Sequence, residues 1–328
     1  MTLFLTASQL EAATDMSSTI SAVESIFKDI AEGMAHQPSP VAMQLPSSDA
    51  NFIVMSGLAA GPGLAAVKLL SDIPSNFDKG LPTQRSTILL TDQRTGEPLA
   101  VLDGKVPTRV RTAAASAVAS KHLARRGSTT LGLVGAGTLA VAHLEAMLLV
   151  LPIDTVIVWS RSASTVRTFQ EATAHHGIKT LQVSSPREVV EASDVVCTLT
   201  PSESPILHGE WFMPGLHLNA VGARPRASHR EIDAKGMAGA RVFVDSMDTA
   251  RIKSGDLLLA VRDGTMELSD VAGELGGVIA GTTPGRADDS DITLFNSVGV
   301  GSLDLAIGRL LFDAAQERGL GLTVDMSS

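Results

Sequence analysis

The sequence predicts an α/β fold with a doubly wound parallel sheet, preceded along the chain by an antiparallel sheet. Residues 129–161 give an apolar run, a Gly-rich turn, a helical pattern and a second apolar run, within the length of one βαβ unit. Helical and apolar segments keep alternating after residue 161, which is the rhythm of a parallel sheet. Before residue 107, turn residues separate short β-like runs, a spacing typical of an antiparallel sheet. These runs are residues 41–45, 52–55, 64–70, 87–91 and 98–102.

The Gly-rich turn has the features of a dinucleotide-binding turn. Gly135 allows a sharp turn off the strand, Gly137 lets a pyrophosphate approach the backbone, and Ala140 permits close packing of helix on strand. The phosphates are then expected on the free N–H groups of the helix that starts near Thr138. The alternative is a small-residue turn that only packs a helix on a sheet. The predicted cofactor contacts in the turn are Gly135, Ala136, Gly137, Thr138 and Leu139.

The residues after the second strand favour NADP(H), with NAD(H) left possible. An NAD site typically has an acidic residue here, which binds the ribose hydroxyls. The chain instead has Ser160, Arg161 and Ser162, and a guanidinium with two hydroxyls can bind a 2′-phosphate. The alternative is that Arg161 stacks on the adenine or lies in solvent.

Composition excludes several classes of function. The 328 residues carry a net charge of −9 without a basic stripe, which argues against nucleic acid as a partner. No apolar run is long enough to span a bilayer, and a single cysteine, Cys197, fits a reducing compartment, so we expect a cytoplasmic protein. The apolar neighbours of Cys197 predict a buried strand position. Eight histidines without HxH or HxxxH spacing predict no metal site.

Two basic residues are candidates for binding an anion. Lys68 lies in an otherwise apolar strand-like run, and spacing alone favours a solvated sheet face for it. Arg111 lies in the first turn of a helix predicted over residues 107–125. There, helix N–H groups and a guanidinium can form a receptor for a carboxylate or phosphate, although an exposed Arg fits the same pattern.

Nearly the whole chain resembles the ornithine cyclodeaminase/mu-crystallin family, through seven segments in the family's order. Together they are far more specific than any one of them. The segments are Val67-Lys68-Leu69-Leu70, Arg111-Thr112-Ala113-Ala114, Gly135-Ala136-Gly137, Val158-Trp159-Ser160-Arg161, Ala192-Ser193-Asp194-Val195-Val196, Asn219-Ala220-Val221-Gly222 and Asp291-Ile292-Thr293-Leu294-Phe295-Asn296-Ser297-Val298-Gly299.

The resemblance implies a homodimer and a split domain. Residues 1–126 with 300–328 would form a smaller α+β domain for substrate binding and dimerisation, and residues 127–299 a dinucleotide-binding Rossmann domain inserted into it. In that family the residues matching Lys68 and Arg111 bind the substrate carboxylate, so these two are the predicted catalytic residues. Val298 and Gly299 would lie near the nicotinamide. The predicted cofactor contacts outside the turns are Thr112, Thr200, Val221, Val298 and Gly299.

Two departures from the family pattern bear on the substrate. Many members have a Pro-x-Arg whose Arg also holds the carboxylate, but residues 38–40 contain none. The cyclodeaminases carry an acidic residue in the segment that corresponds to residues 223–229, and this chain has none there. One of the basic residues in that segment, Arg224 or Arg226, is an alternative carboxylate ligand.

The predicted function is therefore an NAD(P)H-dependent reductase of a small imine, such as Δ1-pyrroline-2-carboxylate, that forms an amino acid. An alanine-type amino-acid dehydrogenase or an ornithine cyclodeaminase is the second possibility. A nucleotide-dependent binding protein with little turnover, suggested by mu-crystallin relatives, is the third.

Overall fold

The computed structural model describes residues 1–223 and 226–326, which form two compact units. Unit 1 contains Met1–Arg111 and Gly299–Ser328, and unit 2 contains Thr112–Val298. The first division falls within a continuous helix, earlier than the boundary after residue 126 that the family resemblance implies. No linker composition marks this point, because the chain stays helical through it. Within the described ranges, no helix is long and apolar enough to cross a membrane.

Sixteen strands are present in the described part of the chain. They are β1 (Thr2–Leu5), β2 (Ala35–His36), β3 (Val41–Met43), β4 (Asn51–Ala59), β5 (Leu64–Asp72), β6 (Gln84–Asp92), β7 (Pro98–Asp103), β8 (Thr130–Val134), β9 (Thr155–Trp159), β10 (Lys179–Gln182), β11 (Val195–Thr198), β12 (His217–Ala220), β13 (Arg241–Val244), β14 (Gly273–Glu274), β15 (Thr293–Asn296) and β16 (Leu322–Val324).

Eleven α-helices are described, besides four short 3₁₀ turns. They are α1 (Ala7–Ala13), α2 (Met16–Ala31), α3 (Lys105–Leu123), α4 (Thr138–Leu148), α5 (Ala163–Thr173), α6 (Pro186–Glu191), α7 (Ala234–Gly239), α8 (Met247–Lys253), α9 (Gly255–Arg262), α10 (Leu275–Ile279) and α11 (Gly301–Glu317).

Unit 1 is built on one sheet whose strands run β16-β1-β7-β6-β5-β4-β2, with β3 also paired to β4. All its pairs are antiparallel except β1 with β7. Helix α11 packs on β4 and β5, and α2 packs on α11. Glycines allow the start of α11 to lie close to β4, because a Cβ on Gly301 would come 2.3 Å from the Ser56 carbonyl oxygen.

Unit 2 is a sheet of eight strands, all parallel, in the order β10-β9-β8-β11-β12-β15-β13-β14. The strand order reverses between β8 and β11, which is the point where doubly wound sheets bind ligands, outside the carboxyl ends of the strands. The central strands are apolar and buried, as expected when helices cover both faces. The predicted fold class is confirmed.

Several details differ from the sequence predictions. The pattern Ser8-Gln9-Leu10-Glu11 predicts a capping box, but that of α1 is formed two residues earlier, by Thr6 and Gln9. The sequence pattern predicts Ser302 as the cap of α11, but this helix begins at Gly301 and Ser302 lies inside its first turn. The short strands β1, β2, β14, β15 and β16 were not predicted, since runs of two to four residues give little periodic signal.

Candidate active site

The turn between β8 and α4 is open where a pyrophosphate would approach. Gly135 has φ +111°, and a Cβ there would lie 2.8 Å from the Leu199 carbonyl oxygen, so this position needs glycine. Gly137 precedes the first residue of α4 and would have no atom within 4 Å of a Cβ. Thr138 is exposed at the start of the helix, whose first N–H groups have no partner within the helix. The turn therefore fits an anion, as a Rossmann turn does.

The residues after β9 are at the same edge of the sheet. Ser160 follows the strand, Arg161 is exposed, and Ser162 precedes the first residue of α5. The Ser162 hydroxyl lies 2.7 Å from that of Ser164, so it already has a local partner. Arg161, whose side chain is exposed, carries the positive charge of residues 160–162.

Three more predicted cofactor contacts follow neighbouring parallel strands. Thr200 comes after β11, Val221 directly after β12, and Val298 two residues after β15. Because these strands are parallel and adjacent, their carboxyl ends lie along one edge with the Gly-rich turn. Val298 also lines a small cavity of about 10 Å³ in unit 2. Thr112, the first residue of unit 2, is buried within α3.

The two predicted catalytic residues meet a buried carboxylate in unit 1. Lys68 lies in the middle of β5, and its Nζ is 2.6 Å from Asp304 Oδ2 on α11. The Nε of Arg111 is 3.6 Å from Asp304 Oδ1, and it has no hydrogen-bond partner among the described residues. Lys68 also lies 3.5 Å from the Thr108 hydroxyl. All three ionisable side chains are more than nine-tenths buried.

The solvated face that spacing alone favours for Lys68 is wrong. On β5 the alternation is inverted, since Val67 and Leu69 are each 42% exposed while Lys68 is 2% exposed. Burial lowers the pKa of Lys68 to about 8; the ionised Asp304 opposes this effect and the nearby charge of Arg111 adds to it.

Gly299 makes room for Arg111. The glycine has φ +87°, and a Cβ there would lie 3.1 Å from both Nη atoms of the guanidinium. A side chain at this position would be strained and would press on Arg111. The family segment ending in Val298 and Gly299 therefore contributes to both units, with Val298 in unit 2 and Gly299 in unit 1.

The alternative carboxylate ligands are only partly described. Arg224 lies outside the described residues, and Arg226 is partly buried in unit 2. The described residues include no group of three or more His, Cys, Asp or Glu side chains that could hold a metal ion.

Comparison with known proteins assigns the family. The model of the ornithine cyclodeaminase/mu-crystallin family matches residues 1–319. The chain belongs to the ornithine cyclodeaminase/mu-crystallin family. Its relatives of similar length include an alanine dehydrogenase and several Δ1-pyrroline-2-carboxylate reductases. A Δ1-pyrroline-2-carboxylate reductase of Bacillus cereus is 33% identical over 291 residues, which cover 88% of this chain and 89% of the relative.

Two solved structures of family members are also similar over nearly their whole length. The Δ1-pyrroline-2-carboxylate reductase of Thermococcus litoralis, in complex with NADH and L-proline, has a TM-score of 0.93 and 32% identity, covering 98% of this chain and 100% of the other. A dimeric archaeal alanine dehydrogenase with bound NAD has a TM-score of 0.93 and 32% identity, covering 99% of each chain.

Asp304 and Glu231 are among the buried carboxylates near the predicted site residues that were not identified from the sequence. Asp304 lies between Lys68 and Arg111, and the signal for it is an acidic residue between Leu303 and Leu305 on an apolar helix face. Glu231 is buried in unit 2 and contacts Thr200. It follows Arg230 in a polar segment, where no periodic pattern predicts burial.

Proposed function

We propose that this chain is an NAD(P)H-dependent reductase that converts a small cyclic ketimine carboxylate, such as Δ1-pyrroline-2-carboxylate, to the amino acid. Membership of the family and similarity to two Δ1-pyrroline-2-carboxylate reductases support an oxidoreductase acting on a C=N bond. The Gly-rich turn at the switch point fits the dinucleotide that this chemistry needs.

The observation that carries the proposal is the charge of the buried cluster in unit 1. Lys68 and Arg111 are two buried cations, and Asp304 is the single carboxylate between them. This leaves one positive charge in excess, together with an Nε donor that has no hydrogen-bond partner among the described residues. Buried charge is costly unless paired, so the cluster is complementary to a small anion. An imino-acid carboxylate supplies that anion and places the imine carbon beside it.

The roles of the residues follow from their chemistry. Arg111 binds the substrate carboxylate with its planar guanidinium and fixes the orientation of the ring. Lys68 stabilises the same carboxylate and, with a pKa near 8, can donate a proton to the imine nitrogen. The reduced nicotinamide, when bound, supplies the hydride to the imine carbon. Asp304 holds Lys68 in place and favours its protonated form.

We further propose that NADPH is preferred over NADH. The support is the absence of an acidic residue at positions 160–162 and the exposed guanidinium of Arg161. Arg161→Ala should raise the KM for NADPH on the order of tenfold, the loss of one charge-assisted hydrogen bond, and leave that for NADH within about twofold. Arg187→Ala, which removes another exposed arginine of unit 2, is the matched control. A wild-type preference for NADH would refute this part.

We also propose that unit 1 forms the homodimer. Its sheet presents an apolar face opposite to α11, with exposed side chains on three adjacent strands. These are Phe52, Leu58, Val67, Leu69 and Leu89. An exposed apolar patch of this kind marks an interaction site. Leu69→Arg should convert the dimer to a monomer in light-scattering chromatography, whereas Leu181→Arg, at an equally exposed leucine of unit 2, should not.

The experiment that tests the function is oxidation of NADPH, with NADH in parallel, against Δ1-pyrroline-2-carboxylate and against pyruvate plus ammonia. Turnover of the cyclic imine supports the proposal. Similarity to the archaeal alanine dehydrogenase makes an amino-acid dehydrogenase the second candidate, and activity only on pyruvate plus ammonia would select it. Cofactor binding without turnover on either substrate would refute both enzymes and favour a binding protein.

A further inference from the structure

Glu231 is a buried carboxylate in unit 2 that receives hydrogen bonds from two strand ends. One oxygen accepts from the backbone N–H and the hydroxyl of Thr200, at 2.9 and 2.6 Å. The other accepts from the Thr198 hydroxyl at 2.7 Å and from the N–H groups of Gly222 and Ala223 at 2.8 and 3.0 Å. Five donors thus converge on one side chain that has no exposed surface.

The two segments joined by Glu231 are those that follow β11 and β12. They approach each other so closely that a Cβ on Gly222 would lie 2.3 Å from the backbone nitrogen of Thr200. Three of the five donors are backbone N–H groups, which cannot reverse direction, so only an acceptor satisfies them. Without the carboxylate, these strand ends would hold unsatisfied buried donors and would have to separate.

A second carboxylate extends the connection to β15. Asp256 Oδ1 accepts the N–H groups of Glu231 and Ile232 at 2.8 and 2.9 Å, and its Oδ2 accepts from the Asn296 side chain at 3.1 Å. Asn296 is the last residue of β15, and its Oδ1 accepts the Ser254 hydroxyl at 2.6 Å. Val298 follows two residues later. Hydrogen bonds therefore connect the carboxyl ends of β11, β12 and β15.

We infer that Glu231, with Asp256 and Asn296, is a positioning residue that sets the spacing of the strand ends on which the nicotinamide half of the cofactor rests. The inference rests on the proposed function, because it assumes that a nicotinamide dinucleotide binds at this edge. The adenosine half has other predicted contacts, in the turns after β8 and β9. Loss of Glu231 should therefore weaken the binding of the nicotinamide half more than the binding of the adenosine half.

Glu231→Gln is the direct perturbation. The amide keeps one acceptor but places an NH₂ group against N–H donors, so part of the cluster loses its acceptor. We expect the Kd for NADPH to rise by about tenfold or kcat to fall by a similar factor, while the Kd for 2′,5′-ADP, the adenosine half alone, changes by less than about twofold. Thr198→Val removes one donor without changing side-chain shape and should give a smaller change with the same pattern.

A matched control exists at the opposite edge of the same sheet. Asp194 accepts the N–H groups of Thr129 and Thr130 and pairs with Arg125 at 2.6 Å, beside the amino ends of the strands. Asp194→Asn removes a carboxylate that also accepts backbone N–H groups, but at the amino ends of the strands. It should lower the melting temperature but leave the ratio of the two Kd values unchanged.

The measurement is titration of NADPH and of 2′,5′-ADP by calorimetry, with imine reduction assayed in parallel. A selective loss of NADPH affinity or kcat in Glu231→Gln, repeated in weaker form by Thr198→Val, supports the inference. Equal loss of both affinities, or wild-type values for NADPH binding and turnover, would overturn it. Should Glu231→Gln not fold, wild-type behaviour of Thr198→Val would overturn it as well. If the wild-type protein binds NADPH but reduces no imine, only the proposed function is refuted. The ratio of the Kd for NADPH to the Kd for 2′,5′-ADP still tests the role of Glu231.

Discussion

Raising the pH above 8 should weaken the binding of a carboxylate ligand, through Lys68. The side chain is buried between strands and helix α11, and burial lowers its pKa to about 8 from the ordinary lysine value of 10.5. A carboxylate that binds beside Lys68 and Arg111 adds negative charge to the cluster, which favours the protonated amine. The complex therefore holds the proton more tightly than the free protein does, and binding takes up a proton wherever the free amine has lost it.

The size of the effect follows from that pKa. The apparent Kd scales as 1 + 10^(pH − 8) until the pH reaches the pKa of Lys68 in the complex. It should therefore rise by about tenfold between pH 7 and pH 9. A lysine with a pKa of 10.5 would give a change of only about 3% over the same range. At pH 8 the binding reaction should take up about half a proton per site.

Pyrrole-2-carboxylate is a suitable ligand, since it is planar, has the ring size of the proposed substrate and cannot be reduced at an imine. Its Kd is measured by calorimetry from pH 6 to pH 10, in two buffers of different ionisation enthalpy. Lys68→Arg, whose guanidinium stays charged over this range, should give a flat profile and no proton uptake. A wild-type profile that stays flat to pH 9.5, or an equal rise in the variant, would refute the reasoning.

Three further predictions concern single residues of the two units. Asp304→Asn leaves Lys68 and Arg111 without their counter-charge. The free energy of unfolding, measured in urea, should therefore fall by about 3–5 kcal/mol, and a fall of less than about 1 kcal/mol would contradict the pairing of these charges. Gly299→Ala strains a residue with φ +87° and presses on Arg111, so it should cut kcat/KM for the imine by about tenfold or more, and a wild-type kcat/KM would argue against this contact. Cys197 is buried, and burial raises its pKa to about 12. A thiol reagent should therefore label it only after urea unfolds the protein, and labelling of the native protein at pH 8 would disprove its burial.

The dinucleotide-binding part of the fold could be predicted from the sequence because its signals are local. Gly135 and Gly137 come directly after an apolar strand and before a helical pattern, and the structure keeps β8, α4 and β9 within two residues of the expected positions. Short β-like runs separated by turn residues also predicted most strands of unit 1. The assignment of Lys68 to a solvated face failed because β5 has apolar residues on its exposed face, and the face toward α11 carries the charge.

The buried acids could not be predicted in the same way, since their partners are distant in sequence. Asp304 meets Lys68 across 236 residues (304 − 68), and nothing in the neighbourhood of either residue indicates the other. The partners of Glu231 lie at or just after the ends of two strands whose pairing only the folded sheet establishes. Local patterns predict which segments form strands, but these contacts depend on the order of strands in the sheet.

The two buried acids differ in what surrounds them, and this difference predicts different roles. Asp304 lies between two cations, so its charge acts on the proton affinity of Lys68 and on the binding of an anion. Glu231 is surrounded by neutral donors, and burial raises its pKa to about 7, with the hydroxyls of Thr200 and Thr198 acting against this rise. Removing the first acid should therefore change how binding depends on pH. Removing the second should change the geometry of the strand ends. The groups around Glu231 are neutral N–H and O–H donors, so its loss removes hydrogen bonds and not the counter-charge of a cation.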